Sequence, residues 1–165
     1  MGFDAFGTDI DQRMIDYSRQ NILEWLIPNW QLKTSAGLEK GDAVSITWGD
    51  YPKYDFNFIA GETYLGRPFS TEPRPEDLRQ VMQDVDTIHY KFLQNVARQT
   101  DPGFRMCVAV PSWKTRNGFK HLKTLDSLEK LGYTRLSFTH VRNSELIYHR
   151  PDQIVGRELL VLTRK

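Results

Sequence analysis

Hydrophobic residues recur along the chain with two spacings, one typical of strands and one typical of amphipathic helices. The strand-like segments are Phe3–Thr8, Trp30–Ser35, Tyr54–Ala60, Phe104–Val110, Tyr133–Val141 and Glu158–Leu162. The helix-like segments run from Asp11 to Pro28, from Pro75 to Gln99 and from residue 121 to residue 131. The unbroken apolar run Phe104–Val110 is typical of a buried parallel strand. Because strands alternate with helices, the sequence predicts an open α/β sheet that ends in an antiparallel pair of strands.

The composition indicates one soluble globular domain. The chain has 165 residues, of which 39% are hydrophobic and 12% aromatic, and no linker or repeat divides it, so we expect a single domain over residues 1–165. Its one cysteine, Cys107, lies in an apolar run, where core packing is expected and no internal disulfide can form. Charges interrupt every apolar stretch well before about 18 residues, and no signal peptide is evident. These features predict a cytoplasmic protein that does not contact a membrane.

Charge is distributed unevenly along the chain. Residues 1–50 carry four basic and eight acidic side chains, whereas residues 111–165 carry eleven basic and five acidic ones. Basic and aromatic residues are interleaved in the C-terminal third, and this set comprises Lys114, Arg116, Lys120, Lys123, Arg142, Arg150 and Arg157 with Trp113, Phe119 and Tyr148. The pattern suits phosphate contact and base stacking, which favours RNA as a partner. An ordinary solvated surface is the alternative for each residue taken singly.

Two aspartates follow predicted strands, at the edge where open α/β sheets bind their ligands. Asp9 ends the first strand, and its carboxylate can accept hydrogen bonds from both hydroxyls of a ribose. A helix cap is the alternative for such an aspartate, and it fits Asp11 better than Asp9. Asp42 follows Gly41 in a turn and suits the exocyclic amine of an adenine, with an ordinary Gly-Asp turn as the alternative.

A third strand end places an acid beside an aromatic ring. Glu62 and Tyr64 lie between Gly61 and Gly66, and together they can hold a planar base, because the ring stacks on its face and the carboxylate accepts its amino hydrogens. In the alternative interpretation, Tyr64 is a partly buried loop anchor and Glu62 a solvated charge. The four histidines lack the spacing of metal ligands, so no metal site is predicted.

These motifs resemble those of S-adenosylmethionine-dependent methyltransferases. Phe6–Met14 followed by Ser18–Asn21 resembles the second motif of that class. More narrowly, the chain is similar to the RNA and DNA methylase family typified by the tRNA guanine-N2 methyltransferases, which are usually fused to an RNA-binding THUMP domain. Gly41–Ala43 matches the third motif, Gly61–Gly66 lies where the catalytic Asp/Asn-Pro-Pro-Tyr motif belongs, and Tyr148–Glu158 resembles the C-terminal hairpin. The similarity spans nearly the whole chain.

The resemblance implies a fold, a cofactor and an activity. The fold would be a Rossmann-like methyltransferase sheet with a C-terminal antiparallel hairpin. S-adenosylmethionine would bind at Asp9 and Ile10 and at Asp42 and Ala43, and the catalytic residues would be Glu62 and Tyr64. The implied reaction is methyl transfer to an exocyclic amino group of RNA, with guanine N2 of tRNA as the best single expectation.

The chain departs from the family pattern at two places. Thr63 stands where the catalytic motif has a proline. The strand, glycine-rich loop and helix that carry the first motif of the family precede the position where this sequence starts, so the expected sheet lacks its middle strand. Three interpretations stay open: a truncated form of the enzyme, an active methyltransferase, and an inactive methyltransferase-like subunit that binds nucleic acid or acts as a scaffold. Exposed strand edges would favour a homo-oligomer or a completing partner chain.

Overall fold

The computed structural model describes residues 3–48, 56–69 and 73–165. The chain divides into two compact units, Met1–Asp55 and Phe56–Lys165. The single domain over residues 1–165 stays a prediction. Within the described ranges, none of the helices combines the length and the apolar character that crossing a bilayer requires.

The first unit consists of a parallel pair of strands and one helical segment. Its elements are β1 (Ala5–Asp9), α1 (Gln12–Arg19), a π-helical stretch (Gln20–Leu26), α2 (Ile27–Asn29) and β2 (Ala36–Lys40). The strands pair in parallel from Ala5 opposite Ala36 to Asp9 opposite Lys40. Their carboxyl ends therefore meet at one edge.

The helical segment begins where the sequence predicts and ends slightly later. The Asp11 carboxylate accepts the backbone N–H of Arg13 at 2.9 Å, which is the cap expected from a residue that precedes a helical repeat. Pro28 lies in the first turn of α2 rather than ending the segment, because a missing N–H is tolerated at that position.

The predicted strand Trp30–Ser35 is wrong, because β2 covers the next five residues instead. The chain is still turning after α2, since the Leu32 N–H bonds the Ile27 carbonyl at 3.0 Å and Gln31 has a φ of 47°. Pairing with β1 starts at Ser35, whose N–H donates to the Asp4 carboxylate at 2.7 Å.

The second unit is a mixed sheet with one long helix. Its elements are β3 (Phe58–Glu62), α3 (Pro75–Gln99), β4 (Arg105–Thr115), β5 (Gly118–Lys120), β6 (Tyr133–Arg135), β7 (Ile147–Tyr148) and β8 (Val155–Arg164), with 3-10 turns at Lys123–Ser127 and Asn143–Glu145. The main strand order is β3-β4-β8-β6, with β5 on β4 and β7 on β8. Only β3 and β4 pair in parallel; β8 is antiparallel to each of its neighbours. The expected antiparallel ending is therefore present, but β6 is shorter than the predicted Tyr133–Val141 and β8 is longer than the predicted Glu158–Leu162.

The described strands form two separate sheets. Among them, β1 pairs only with β2, and β3 is the end strand of the second sheet.

The main core lies between α3 and one face of the second sheet. The helix contributes Val81, Val85, Leu93 and Val96, and the strands contribute Met106, Val108, Val110, Leu160 and Leu162. The Tyr133 hydroxyl donates to the Leu93 carbonyl at 2.8 Å. Pro75–Gln99 is the helix that the apolar repeat predicts, with the same boundaries.

The apolar pattern of the sequence predicts a core of twelve residues, and eight of them are buried. The buried members are Ile15, Val81, Val85, Val108, Val110, Leu128, Leu160 and Leu162, whereas Ile22, Phe92 and Leu125 are partly exposed. Phe58 is 52% exposed, because it lies opposite the exposed Arg105 in the β3–β4 register, whereas Ile59 lies opposite the buried Met106. Successive strand residues face opposite sides, so Phe58 points away from α3.

Two predictions around β4 need correction. The α-helix predicted over residues 121–131 is absent; a 3-10 helix covers Lys123–Ser127, and the Asp86 carboxylate accepts the Thr124 N–H at 2.8 Å and ties this segment to α3. β4 extends beyond the predicted Val110 and pairs antiparallel with β8 as well as in parallel with β3. Pro111 is tolerated inside it because β3 has ended opposite Ala109 and β5 begins pairing only at Trp113.

A buried ion pair joins β6 and β8. Arg135 donates to Glu158 at 2.8 Å, and the Glu158 side chain is only 6% exposed. We expect Arg135→Met to lower the free energy of unfolding by about 3 kcal/mol, because it leaves a buried carboxylate without its counter-charge. Arg142→Met removes the exposed pair with Glu145 and is the control, with an expected loss below about 1 kcal/mol. Urea unfolding of the two variants measures the difference; equal losses would contradict the prediction.

Candidate functional site

The first group of predicted site residues lies where β1 and β2 end. Asp9 pairs with Lys40 in the parallel register, and the Gly41 N–H donates to the Asp9 carbonyl at 3.0 Å. Asp42 follows at once, so the structure brings the two carboxylates predicted to bind cofactor to the same edge of this strand pair. A Cβ at Gly41 would lie 2.6 Å from Ile46 Cδ1 and 3.3 Å from Thr8 Cβ. Glycine thus allows the turn to pack against β1.

Each of these carboxylates has one oxygen committed to its own turn. Asp9 Oδ1 accepts the Asp11 N–H at 2.8 Å, and Asp42 Oδ1 accepts the Val44 N–H at 3.1 Å. The turns hold the carboxylates in place, and among the described residues no hydrogen bond occupies the second oxygen of either one, so it can accept from a ligand. Asp11 is instead occupied as the helix cap, and hydrogen bonds from Arg13 lower the pKa of its carboxyl. Ile10 and Ala43, also predicted to contact cofactor, are exposed beside the two aspartates.

The second group lies at the end of β3, in the other unit. The Glu62 side chain is 49% exposed and forms an ion pair with Arg157 Nε from β8. Tyr64 is 53% exposed, so about half of its surface is accessible to a ligand. An exposed ring two residues after an exposed carboxylate is the arrangement that base stacking and amine binding require.

The loop after Glu62 is attached to both neighbouring elements. The Thr63 N–H donates to the Ala109 carbonyl of β4 at 3.0 Å. Its hydroxyl lies 2.6 Å from Nε2 of His89 on α3. Gly66 has a φ of 92°, and a Cβ there would lie 3.0 Å from Val81 Cγ1 and 3.1 Å from Val85 Cγ2. Sheet and helix contacts therefore hold the loop at the position where the family motif has proline.

The hydrogen bonds of His89 define its tautomer. His89 is 2% exposed, and its Nδ1 lies 2.7 Å from the Val85 carbonyl. A carbonyl only accepts, so Nδ1 carries a proton. Burial lowers the pKa of His89, which favours the neutral ring with Nε2 as an acceptor. The Thr63 hydroxyl therefore has two acceptors for its one proton, Nε2 at 2.6 Å and the Ala109 carbonyl at 3.0 Å. His89 thus orients Thr63 without carrying a charge.

Sequence reasoning assigned no site role to His89 and treated Arg157 only as part of a basic set. The signal for His89 was present, because it follows Val85 by four residues on the apolar stripe of α3, where a polar residue needs a buried partner. No local signal marks Arg157, since its partner Glu62 is 95 residues away.

Most members of the interleaved basic and aromatic set are exposed, whereas Arg157 is half-buried and Trp113 is buried. Trp113 is completely buried, so its predicted stacking role is wrong; it belongs to the β4 core. Tyr148 and Phe119 are exposed, and Phe119 contacts the His149 ring edge-on at 5.2 Å. In the described part of the chain, no group of three or more His, Cys, Asp or Glu side chains is arranged to hold a metal ion.

Comparison with known proteins identifies the fold. No protein-family model matches the chain, and no curated protein matches it in sequence. TrmN from Thermus thermophilus is structurally similar at TM-score 0.53 and 14% identity, over 98% of this chain and 36% of TrmN. A SAM-dependent methyltransferase from Methanosarcina mazei gives TM-score 0.58 and 13% identity, over 99% and 82% of the two chains. The N-methyltransferase NodS from Bradyrhizobium japonicum WM9, in complex with S-adenosyl-L-homocysteine, gives TM-score 0.53 and 10% identity, over 98% and 66%.

The chain therefore has the Rossmann-like methyltransferase fold, as predicted. It spans 36% of the length of TrmN.

Gly66 is expected to be required for loop geometry. Gly66→Ala forces a side chain into a positive-φ position against Val81 and should lower the free energy of unfolding by about 1–3 kcal/mol. Gly61→Ala is the control in the preceding strand β3, because a Cβ there meets no atom within 4 Å; its effect should stay within about 0.5 kcal/mol. Denaturant titration of both variants checks this. A Gly66 variant as stable as the Gly61 variant would contradict it.

Buried His89 should make stability depend on pH. The unfolded chain binds a proton near the ordinary pKa of 6.5, whereas the folded protein does so only at lower pH. Acid therefore favours the unfolded state, and stability should fall as the pH drops below about 6.5. His89→Gln should remove this component of the slope, and His140→Gln, at an exposed position, should leave it unchanged. Urea unfolding at several pH values measures how the free energy of unfolding of each variant depends on pH. The same dependence in both variants would show that His89 is not its source.

Proposed function

We propose that this chain is an S-adenosylmethionine-dependent methyltransferase domain that acts on an exocyclic amino group of RNA, with guanine N2 of tRNA as the favoured acceptor. The observation that carries the proposal is the end of β3, where an exposed carboxylate and an exposed ring are held by a loop fixed to two elements. This strand belongs to a chain with the methyltransferase fold. NodS, which shares that fold, is an N-methyltransferase solved with S-adenosyl-L-homocysteine.

The residues at the ends of β1 and β2 fit a nucleoside-containing cofactor. Asp9 would accept hydrogen bonds from the ribose hydroxyls and Asp42 from the adenine amine, since each has one carboxylate oxygen outside its turn. Ile10 and Ala43 offer exposed apolar surface beside them. When bound, S-adenosylmethionine supplies an electrophilic methyl group on a sulfonium.

The residues at the end of β3 would have to position the acceptor base. Tyr64 would stack on the acceptor base and Glu62 would accept an N–H of its amino group, which aligns the nitrogen for displacement. Glu62 would also be placed to receive the proton that the nitrogen loses after methylation. The exposed basic side chains of residues 114–157 would neutralise RNA phosphates.

The first test is calorimetric titration of S-adenosylmethionine and S-adenosylhomocysteine into the chain. Binding should weaken at least about tenfold in Asp9→Ala and in Asp42→Ala, because each change removes hydrogen bonds to a charged group. Glu39→Ala is the control, an exposed acid on the same strand pair. Equal binding by all three variants would exclude this cofactor site.

The second test is methyl transfer to transcribed tRNA and to RNA of other sequence. Glu62→Gln should lower kcat by about 100-fold, within the range of a positioned acid–base group. Tyr64→Phe should retain more activity than Tyr64→Ala, since it keeps the stacking surface. RNA binding with no cofactor binding would instead assign the chain to methyltransferase-like nucleic-acid-binding subunits.

A further inference from the structure

Arg157 reaches across a strand to contact Glu62. Glu62 lies opposite Ala109 on β4, and Arg157 lies opposite Pro111. Ala109 and Pro111 are two residues apart, so all four side chains are on one face of the sheet. The backbones of β3 and β8 are roughly 10 Å apart, two strand spacings. The two long side chains meet because the residues between them are small.

The ion pair uses one half of the carboxylate. Arg157 Nε donates to Glu62 Oε2, and no other hydrogen bond involves this carboxylate among the described residues, so Oε1 stays open. The exposed carboxylate is thus held at one oxygen and presents the other to a ligand. When the accepting oxygen is held in place, an amino group that donates to it has a defined orientation, and its nitrogen is aligned for the reaction.

The C-terminal hairpin restrains Arg157 in turn. Its Nη1 lies 3.4 Å from the Gln153 side-chain oxygen, and the Gln153 carbonyl is bonded by His149 Nε2. Tyr148 lies opposite Arg157 in the β7–β8 register. Arg157 is therefore half-buried and anchored, unlike a mobile surface arginine.

We propose that Arg157 is a positioning residue for Glu62 and makes the acceptor site selective for a neutral amine. This inference rests on the proposed function and narrows its substrate class. A bare carboxylate would attract an alkylammonium ion, such as a lysine side chain. The same carboxylate paired with a guanidinium has no net charge to offer, and its open oxygen suits the neutral N–H of a nucleobase.

Binding of two small probes tests this without requiring methyl transfer. By NMR titration, the wild-type chain should bind guanosine more tightly than n-butylammonium. Arg157→Ala should weaken guanosine binding by about tenfold and strengthen butylammonium binding. Arg105→Ala is the matched control, an exposed arginine on the same sheet face at the other end of β4, and should change neither. No guanosine binding by the wild type, or unchanged preference in Arg157→Ala, would overturn the inference.

Kinetics separates positioning from a merely structural contact. In methyl transfer to RNA, Arg157→Ala should lower kcat about tenfold with little change in KM. Arg157→Lys should restore only part of the lost kcat, because lysine lacks the planar Nε–H donor. Combining Arg157→Ala with Glu62→Gln should add little to the loss of Glu62→Gln alone. Additive losses would overturn the positioning role. Retained probe selectivity in a chain without methyl transfer would refute the proposed function while leaving Arg157 as the selectivity residue.

Discussion

The packing of α3 against β4 and β8 is the contact on which the second unit depends. Val85 and Val96 are almost completely buried against a face that includes Val108 and Leu160. The same helix supplies the acceptor for the Tyr133 hydroxyl and the histidine that holds Thr63. Loss of this packing would therefore release the core and the loop after β3 together, so the site residues at the end of β3 have no stability separate from that of the second unit.

The loop after β3 shows how rigidity can arise without proline. Proline restricts a loop through its own ring, which acts locally. Here the restriction comes from outside the loop, through Ala109 on one side and His89 on the other, while Gly66 allows a close approach to α3. This arrangement makes the loop dependent on the helix. It also places a neutral imidazole, rather than a charged group, in contact with Thr63 directly after β3.

Two neighbouring residues of β8 form ion pairs on opposite faces of the sheet. Glu158 pairs with Arg135 on the face that packs against α3, whereas Arg157 pairs with Glu62 on the other face, where both side chains are partly exposed. The buried pair has little access to a ligand, and its main consequence is for stability. The exposed pair contributes little to stability, because solvent screens it, and it leaves a carboxylate oxygen open. Strand alternation thus separates a structural pair from one that suits binding.

The sequence by itself determined the elements whose signals are local. The apolar repeat and Pro75 define α3, and Asp11 caps α1. The pairing that brings Asp9 and Asp42 to one edge depends instead on β2, which begins one residue after the strand predicted there ends. Local signals failed where distant contacts compete with them, as at residues 121–131, where Asp86 holds a 3-10 turn despite a helical leucine repeat. Only the tertiary structure decided the partners of Thr63 and Glu62, because His89 and Arg157 are brought to them by helix packing and strand order. Those contacts depend on which elements become neighbours, and no spacing along the chain encodes that.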